Sequence, residues 1–316
     1  MALRNSLFAV SGKASFLDAR RDMSGLFVCD KTTMMPIAGI LDRSQDNLVT
    51  GRGDSMSVTV HPFNAVLNRY GALLIQNDGN VNVPLAAAPS ANSRIDVVYV
   101  KQHETRSPMS DSSDVPTFGV VEGTAAAVPV APAVPDGALA LAQVLLPAGV
   151  SNTAASGVVI TQTYIGAAMK GDMLRVQTSA QRDALTTVPE GTLLHNVADN
   201  CDYVRKGDKW RGWNMPWRDI HLGANKVHVW ASGGTGNIDL LSANINLTGW
   251  GSKAVVGQVN NTAFYPANSE GVYAPTRDSY FPTTAGVADN GNVYVEYAGG
   301  TSGSRVVSTI FTYNIG

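Results

Sequence analysis

The sequence predicts a mostly β fold, with an N-terminal β-sandwich or barrel, a small hairpin connector and a C-terminal antiparallel β-sandwich. Turn signals rich in Asn, Asp and Gly recur between short apolar runs, which is the pattern of β-hairpins. Charged residues form 15% of the chain, against roughly 25% in an average soluble domain. Glycine is frequent, at 31 of 316 residues, and no long segment has the apolar spacing of a helix. These features favour strands joined by many tight turns.

Two short helices are predicted among the strands. Ser15-Phe-Leu-Asp18 has the spacing of a capping box, in which the Ser and Asp side chains accept hydrogen bonds from each other's backbone amides. This helix is predicted to end near Gly25. A second short helix is predicted over Thr178–Leu185 and ends before Pro189.

Three hairpins are predicted from their turns. The first joins Ala72–Gln76 to Val81–Leu85 through Asn77-Asp-Gly-Asn80, because a type I′ turn needs positive φ and these residues tolerate it best. The same logic predicts hairpins within 201–213 and 287–297. In the last strand one face should be buried, because a regular alternation places these residues on one side: Val307, Thr309, Phe311, Tyr313 and Ile315.

The aromatic composition divides the chain into three parts. All five Trp lie after residue 209, and seven of the ten Tyr lie after residue 200. We therefore predict an N-terminal domain over 1–165, a connector with a short helix and a Trp hairpin over 166–217, and a C-terminal domain over 218–316. The chain length fits this division, at roughly 100–200 residues per domain.

Composition excludes several classes of partner. Lys and Arg number 23 against 25 Asp and Glu, so the surplus of cations that nucleic acid binding needs is missing. The sequence contains no run of about 18 apolar residues, so no membrane insertion is predicted. The two cysteines, Cys29 and Cys201, lie far apart and predict free, buried thiols in a reducing cytoplasm. The five His lack zinc-ligand spacing, so neither a metal nor another cofactor is predicted.

Several segments occur in a characteristic order along the first 165 residues. They are Met1–Phe8, Asp54–Val60 with Asn64–Leu67, Pro84–Ala88 with Ser93–Val100, Val121–Ala125 with Pro129, Pro132 and Pro135, and Ala138–Gly149. In this order they resemble the N-terminal module of tailed-bacteriophage minor tail proteins, tail fibres and upper baseplate proteins. The pair Pro84–Ala88 and Ser93–Val100 is the most specific element. Asn64 departs from the pattern, because a Gly is common at that position.

The connector carries a second resemblance. Ala180–Leu185, Pro189–Gly191 and Gly207–Trp210 are similar to a small hairpin module of phage fibres, whereas the C-terminal domain resembles no family. The resemblance implies a protein of the virion tail, assembled in the host cytoplasm. Its N-terminal domain would attach to other tail or baseplate proteins, and such proteins are usually homotrimers. The small residues of Gly166–Gly171 would suit either a linker or a place where chains converge on an axis.

The C-terminal domain is predicted to bind a host cell-surface saccharide. Aromatic rings stack on the C–H faces of sugars, amide side chains bind hydroxyl groups, and a trimer multiplies weak single sites. The candidate ligand-binding residues are Trp250, Tyr265, Asn268, Tyr273 and Tyr280, several of them in a stretch that reads as an exposed loop. The alternative is that these aromatics pack in the core or between chains. Trp230 is interpreted as core, and Trp210 and Trp213 as part of the connector hairpin.

Other motifs have simpler interpretations. The string Arg52-Gly-Asp54 is interpreted as a turn before a strand, and Glu104, Asp111 and Asp114 as a solvated loop. The chain contains no Gly-x-Ser-x-Gly elbow and no phosphate loop, so we predict no enzyme. Two alternatives to saccharide binding remain open. One is a purely structural tail component, and the other is a glycan-degrading enzyme with a carboxylate pair drawn from Asp239, Glu270, Asp278, Asp289 and Glu296.

Overall fold

The computed structural model describes residues 15–41, 47–247, 251–273, 283–297 and 303–316. Strands account for 49% of the residues and helices for 7%, so the prediction of a mostly β fold is confirmed. The chain forms two compact units, unit 1 over Met1–Thr192 and unit 2 over Leu193–Gly316. Their junction lies within the predicted connector 166–217, and the three-part division made from the sequence stays a prediction.

Unit 1 contains two helices and eleven strands among its described residues. The helices are α1 (Phe16–Ser24) and α2 (Ser179–Ala184). The strands are β1 (Gly39–Ile40), β2 (Val49–Gly51), β3 (Ser57–Val60), β4 (Phe63–Asn68), β5 (Ala72–Asn77), β6 (Val81–Pro84), β7 (Arg94–Gln102), β8 (Pro116–Val121), β9 (Leu139–Leu146), β10 (Val159–Gln162) and β11 (Met173–Val176).

Both predicted helices are confirmed by their caps. In α1, the Ser15 amide donates to Asp18 Oδ2 at 2.9 Å, and the Asp18 amide donates back to Ser15 Oγ at 3.2 Å. Gly25 follows the last residue of α1 as its C-cap. In α2, the Thr178 hydroxyl accepts a hydrogen bond from the Gln181 amide at 3.2 Å. Side chains that satisfy these first free amides define where each helix begins.

Three antiparallel sheets of unit 1 share one hydrophobic core. Their strand orders are β1-β4-β5, β2-β3-β6 and β10-β9-β7-β8. Fully buried residues from each sheet meet in this core, including Leu67, Val58 and Leu141. The core explains the alternation of buried and exposed positions along the strands, since successive side chains point to opposite faces.

The predicted hairpin between β5 and β6 is wrong in its pairing, although both strands exist. β5 pairs with β4, and β6 pairs with β3, so the chain crosses from one sheet to another at Asp78-Gly79. The Asn77 amide group donates to the backbone oxygens of His61 at 2.9 Å and Gly79 at 2.8 Å. These bonds join the corner between β3 and β4 to the corner between β5 and β6. At each corner the chain passes from one sheet to the other.

The linker interpretation of Gly166–Gly171 is wrong, because this stretch packs within unit 1. The Gly166 amide donates to Arg175 O at 2.7 Å, and the Ala167 amide donates to Ile40 O at 2.8 Å. Ala167 is buried in a small cluster with Phe27. A Cβ on Gly166 would lie 2.7 Å from Arg175 Cβ, so glycine permits this close approach of two backbones.

Unit 2 contains ten strands and a short 3-10 helix among its described residues. The strands are β12 (Leu193–Asn196), β13 (Cys201–Lys206), β14 (Lys209–Asp219), β15 (Lys226–Ser232), β16 (Thr235–Leu247), β17 (Lys253–Gln258), β18 (Glu270–Tyr273), β19 (Thr283–Val287), β20 (Asn292–Tyr297) and β21 (Gly303–Asn314); the 3-10 helix is Thr262–Phe264. One sheet of unit 2 runs in the order β12-β13-β14-β15-β16-β21, and a second runs in the order β17-β20-β19-β18.

The two remaining hairpins and the alternation of the last strand are confirmed. β13 and β14 are joined by the turn Gly207-Asp208, and β19 pairs with β20. In β21, Val307, Phe311 and Tyr313 are buried and Thr309 is partly buried, whereas Ser308, Ile310 and Thr312 are exposed. The outer face of this sheet therefore has no part in the core of unit 2.

Three smaller predictions can also be compared with the structure. Both cysteines are free, with Cys201 buried and Cys29 partly buried. The turn interpretation of Arg52-Gly-Asp54 is confirmed, since this segment joins β2 to β3 and the Arg52 guanidinium pairs with Asp54 at 2.5 Å. Among the described residues, neither helix has the length and apolar character needed to cross a membrane.

Candidate functional site

The predicted ligand-binding residues can be compared with the structure only in part. Trp250 and Tyr280 lie outside the described residues, and so does the side chain of Tyr273, whose backbone ends β18. Asn268 is exposed, as a ligand-binding residue should be. Tyr265 is partly buried, and a Cβ on Gly291 would lie 2.3 Å from its ring. The Tyr265 ring therefore packs against the turn between β19 and β20.

Among the aromatic side chains of unit 2 that the structure describes, a different one is the most exposed. Trp217, in β14, is 59% exposed, and its ring stacks on the imidazole of His228. The two ring centroids are 4.0 Å apart with an interplanar angle of 28°. Because His228 is only 8% exposed, it supports the indole from below and leaves the outer face of that ring to solvent.

Cross-strand pairing extends this site over the outer face of the sheet. His228 lies opposite Asp219 on β14 and opposite Asp239 on β16, and Asp239 lies opposite the exposed Ile310 on β21. Side chains directly opposite each other share one face of a sheet. The result is a row of two carboxylates, an imidazole and an aliphatic side chain that crosses four strands beneath and beside Trp217.

A second row lies two residues further along the same strands. Trp230 lies opposite Asn237, which lies opposite Thr312. Trp230 is only partly buried, while its neighbours Val229 and Ala231 are buried in the core. The interpretation of Trp230 as core is therefore wrong, since alternation along β15 places it on the outer face. We call the surface formed by Trp217, His228, Trp230, Asn237 and Asp239 the indole platform.

Hydrogen bonding beside the platform favours the ionised form of Asp219. The His221 ring nitrogen Nδ1 lies 2.5 Å from Asp219 Oδ1, and the His221 amide donates to the same oxygen at 3.2 Å. These two bonds, with the positive potential of the nearby His221 and His228, lower the pKa of Asp219. Asp219 is therefore a charged hydrogen-bond acceptor at neutral pH.

The Nδ1 atom of His228 has an unusual environment. It is shielded from solvent and has no hydrogen-bond partner within the described part of the chain. A buried polar group without a partner costs about 1–3 kcal/mol, and such groups are rare in folded proteins.

A hydrogen-bonded network holds the strand that carries Trp217. The next residue, Arg218, donates to the Asp199 backbone oxygen and lies 3.2 Å from Cys201 Sγ. The Tyr203 hydroxyl donates to the Asp199 carboxylate. The pKa of Tyr203 is raised mainly by burial and, to a lesser extent, by this hydrogen bond to a negative charge. Burial likewise raises the pKa of the Cys201 thiol to about 12, so the thiol stays protonated and acts as a packing group.

Several acidic residues considered for catalysis have structural partners. Glu270 accepts a hydrogen bond from the Asn314 amide at 3.2 Å, and Glu296 pairs with Lys253 at 3.3 Å. Asp278 lies outside the described residues. The described residues contain no group of three or more His, Cys, Asp or Glu side chains arranged to hold a metal ion. The indole platform offers ring stacking and hydrogen bonding.

Unit 1 contains an ionic cluster that the sequence did not predict. Arg69 pairs with Asp111 and lies 3.4 Å from Glu104, Arg20 pairs with Glu104, and Lys101 lies 3.1 Å from Asp111. The Glu104 and Asp111 side chains are only 12% and 16% exposed, so their interpretation as a solvated loop is wrong. A cavity of about 490 Å³ adjoins this cluster.

The cluster is best explained as structural. Burial alone would raise the pKa of Asp111, but the Glu104 amide and the Lys101 and Arg69 side chains outweigh burial and lower the pKa strongly. Each charged group therefore has a partner of opposite sign within the fold. The cluster fixes the loop 103–115 against β4 and α1.

Comparisons with known proteins add no further constraint. Neither a protein-family model nor a curated protein matches this sequence.

Proposed function

We propose that this chain is a bacteriophage tail fibre or minor tail or baseplate protein that binds a host cell-surface saccharide. In this proposal the N-terminal domain attaches to other tail proteins, three copies form a homotrimer, and the C-terminal domain meets the host. The chain acts by binding alone and needs no cofactor. The indole platform carries the proposal, because an exposed, supported ring beside carboxylate and amide side chains suits the C–H face and hydroxyl groups of an uncharged sugar.

The contacts of Arg94 and Asp96 support the resemblance in unit 1. Arg94 donates to the backbone oxygens of Ala86 and Ala87 at 2.8 Å, and the Asp96 carboxylate accepts from the Gly123 amide at 3.0 Å. These bonds join three of the segments that resemble the phage module. One buried ion pair therefore holds these three segments together.

One observation favours the alternative of a purely structural tail component. Tyr265, a predicted ligand-binding residue, packs against Gly291 and is partly buried. Aromatic side chains that bury large areas often stabilise folds or interfaces without contacting a ligand. Under this alternative the platform would be covered by a neighbouring chain in the virion.

The experiment that tests saccharide binding uses the full-length protein and a Trp217→Ala variant. Labelled protein is incubated with a panel of bacterial cells and with purified surface polysaccharides. If stacking on the Trp217 ring contributes about 1.4 kcal/mol to the binding free energy, losing it reduces affinity about tenfold. Trp217→Ala should therefore bind at least tenfold more weakly than wild type. Val255→Ala is the matched control, because Val255 is 45% exposed but lies on the other sheet of unit 2.

Salt dependence provides a second readout. Binding of an uncharged saccharide should change little with ionic strength, since screening acts on interactions between charges and the ligand carries none. Equal binding by Trp217→Ala and wild type would show that the platform is not the site. A steep loss of binding with salt would contradict stacking as the main contribution.

A further inference from the structure

We propose that the indole platform binds saccharides without negative charge, and that Asp239 is the residue that excludes saccharides bearing carboxylate, phosphate or sulfate groups. The inference rests on the proposed function for the class of ligand, which is a saccharide. The negative charge at the platform is a separate observation, and it can be measured without any saccharide.

Asp239 lies two strands away from Trp217 on the same face of the sheet. It lies opposite His228 on the intervening strand β15, and the His228 ring stacks on Trp217 with 4.0 Å between the ring centroids. Neighbouring strands are about 4.8 Å apart, so Asp239 and Trp217 are roughly 10 Å apart across the sheet. A saccharide that stacks on Trp217 and extends across His228 therefore meets the Asp239 carboxylate.

The fold makes no use of the Asp239 carboxylate. The side chain is partly buried, and no hydrogen bond or ion pair within the described residues involves its oxygen atoms. Lys226 is an exposed cation on the same face of β15, two residues before His228, and in the part of the chain that the structure describes it forms no ion pair with Asp239. Both carboxylate oxygens are therefore available to a ligand.

The oxygen atoms that β16 presents to a ligand are hydrogen-bond acceptors. An ionised carboxylate accepts hydrogen bonds and has none to donate. Asn237 is the next outward residue on β16, and its amide hydrogens point to the backbone oxygens of Trp230 at 3.5 Å and Thr235 at 3.4 Å. The Asn237 side-chain oxygen is therefore the atom left for a ligand. A ligand that binds here must supply donors.

This requirement separates neutral saccharides from acidic ones. The hydroxyl groups of a neutral saccharide donate hydrogen bonds to carboxylate and amide oxygens. Carboxylate, phosphate and sulfate groups are acceptors at neutral pH, and their negative charge would face that of Asp239. Like charges brought together across an interface suppress the wrong partner, which is how many binding sites achieve specificity.

Asp219 adds a second negative charge on the other side of His228. It lies opposite His228 on β14 and two residues after Trp217, at roughly 7 Å along the strand. Unlike Asp239, it already accepts hydrogen bonds from His221. A substitution at Asp219 would therefore also disturb the loop after β14, and Asp239 is the residue whose charge can be removed by itself.

The first test measures the electrostatic potential at Trp217 by nuclear magnetic resonance. Full-length protein labelled with nitrogen-15 has five indole N–H signals, one for each Trp, and the signal missing in Trp217→Ala identifies Trp217. Two soluble nitroxide radicals, one carrying a quaternary ammonium group and the other a carboxylate, broaden this signal in proportion to their local concentrations. In wild type the cation should broaden the Trp217 signal more than the anion does.

The expected change in Asp239→Asn follows from the distance. At an ionic strength of about 0.01 M the Debye length is about 30 Å, so screening over roughly 10 Å is weak. One unit charge at that distance in water changes the local concentration of a monovalent probe about 1.6-fold. Because the cation falls while the anion rises, the ratio of their effects should drop about 2.5-fold in Asp239→Asn.

Glu296→Gln is the matched control, because it removes one negative charge from β20 in the other sheet of unit 2. It should keep the wild-type ratio at Trp217. Equal effects of the two radicals in wild type would overturn the inference, and this result does not depend on any variant folding. The same ratio in Asp239→Asn as in wild type, or an equal drop in Glu296→Gln, would also overturn it.

The second test compares neutral and acidic forms of the same saccharides. Dextran and mannan are the neutral probes, and carboxymethylated dextran and mannan are the acidic ones. Wild type should bind the neutral form more tightly, and Asp239→Asn should narrow the difference between the two forms. Added salt should strengthen the binding of the acidic form by wild type, because salt screens the repulsion between like charges.

Trp217→Ala separates a failure of this inference from a failure of the proposed function. If wild type binds the neutral and acidic forms equally and Trp217→Ala weakens both, the platform binds saccharides but does not select by charge, and the inference is overturned. If Trp217→Ala binds the neutral form as tightly as wild type does, the platform is not the saccharide site. That result would overturn the proposed function whatever the potential at Trp217.

Discussion

Replacing Asp96 with Asn should destabilise unit 1 far more than replacing Glu122 with Gln, although both carboxylates contact the same guanidinium. Arg94 Nε lies 3.0 Å from Asp96, whose side chain is 0% exposed. Arg94 Nη1 lies 2.8 Å from Glu122, whose side chain is 56% exposed. The two substitutions each remove one charge and keep the side-chain shape, so they differ mainly in burial.

The magnitude follows from that difference in burial. Removing one partner of a buried ion pair costs about 3–5 kcal/mol, because the remaining charge stays buried. An exposed pair is worth about 0–1 kcal/mol. For a unit of this size each kcal/mol lowers the melting temperature by about 2–4 °C. Asp96→Asn should therefore lower it by roughly 6–20 °C, and Glu122→Gln by less than about 4 °C.

Differential scanning calorimetry of wild type and both variants measures these shifts. Circular dichroism at low temperature checks that each variant still forms its β structure. Shifts of equal size for Asp96→Asn and Glu122→Gln would refute the reasoning, because burial would then not set the cost of losing the carboxylate.

Three further predictions concern other parts of the chain. Because the pKa of Asp111 is lowered in the folded protein, its ion pairs stabilise the fold above about pH 4, and this stability is lost as the pH falls toward the lowered pKa. The urea concentration at the unfolding midpoint should therefore fall less steeply with acid in Asp111→Asn than in wild type. An equally steep fall in both would contradict this. Burial raises the pKa of both thiols. Because Cys29 is only partly buried whereas Cys201 is buried, iodoacetamide at about pH 8 should alkylate Cys29 slowly in the folded protein and Cys201 only after unfolding, as mass spectrometry can show. Gly123→Ala should cost about 1–3 kcal/mol in urea unfolding, because its Cβ would lie 2.1 Å from a backbone oxygen of β7. Gly79→Ala, which meets nothing within 4 Å, should change stability by less than about 0.5 kcal/mol.

The position of Trp217 shows why the candidate site could not be predicted from alternation. Met215 lies opposite Ala231 and faces the core, so strict alternation would point Trp217 inward as well. The register shifts between Met215 and Arg218, and Arg218 then lies opposite the buried Val229. This bulge turns Trp217 to the outer face, since one extra residue reverses the side chains that follow.

The acidic residues of unit 1 illustrate the same limit for charge. Glu104 and Asp111 occur in a polar stretch rich in Ser, which is typical of a solvated loop. Their partners Arg20 and Arg69 lie far away in the sequence, on α1 and after β4. Burial of a charge depends on partners brought together by the fold, so local composition gives no sign of it.

The sequence by itself determined the local elements of this protein. The capping box of α1, the two-residue turn between β13 and β14 and the alternation in β21 depend on residues a few positions apart, whose backbone preferences act within one turn or strand. Only the tertiary structure decided that β5 and β6 belong to different sheets and that Trp217 faces outward. These features depend on contacts between distant segments, and such contacts are fixed by the shared core rather than by neighbouring residues.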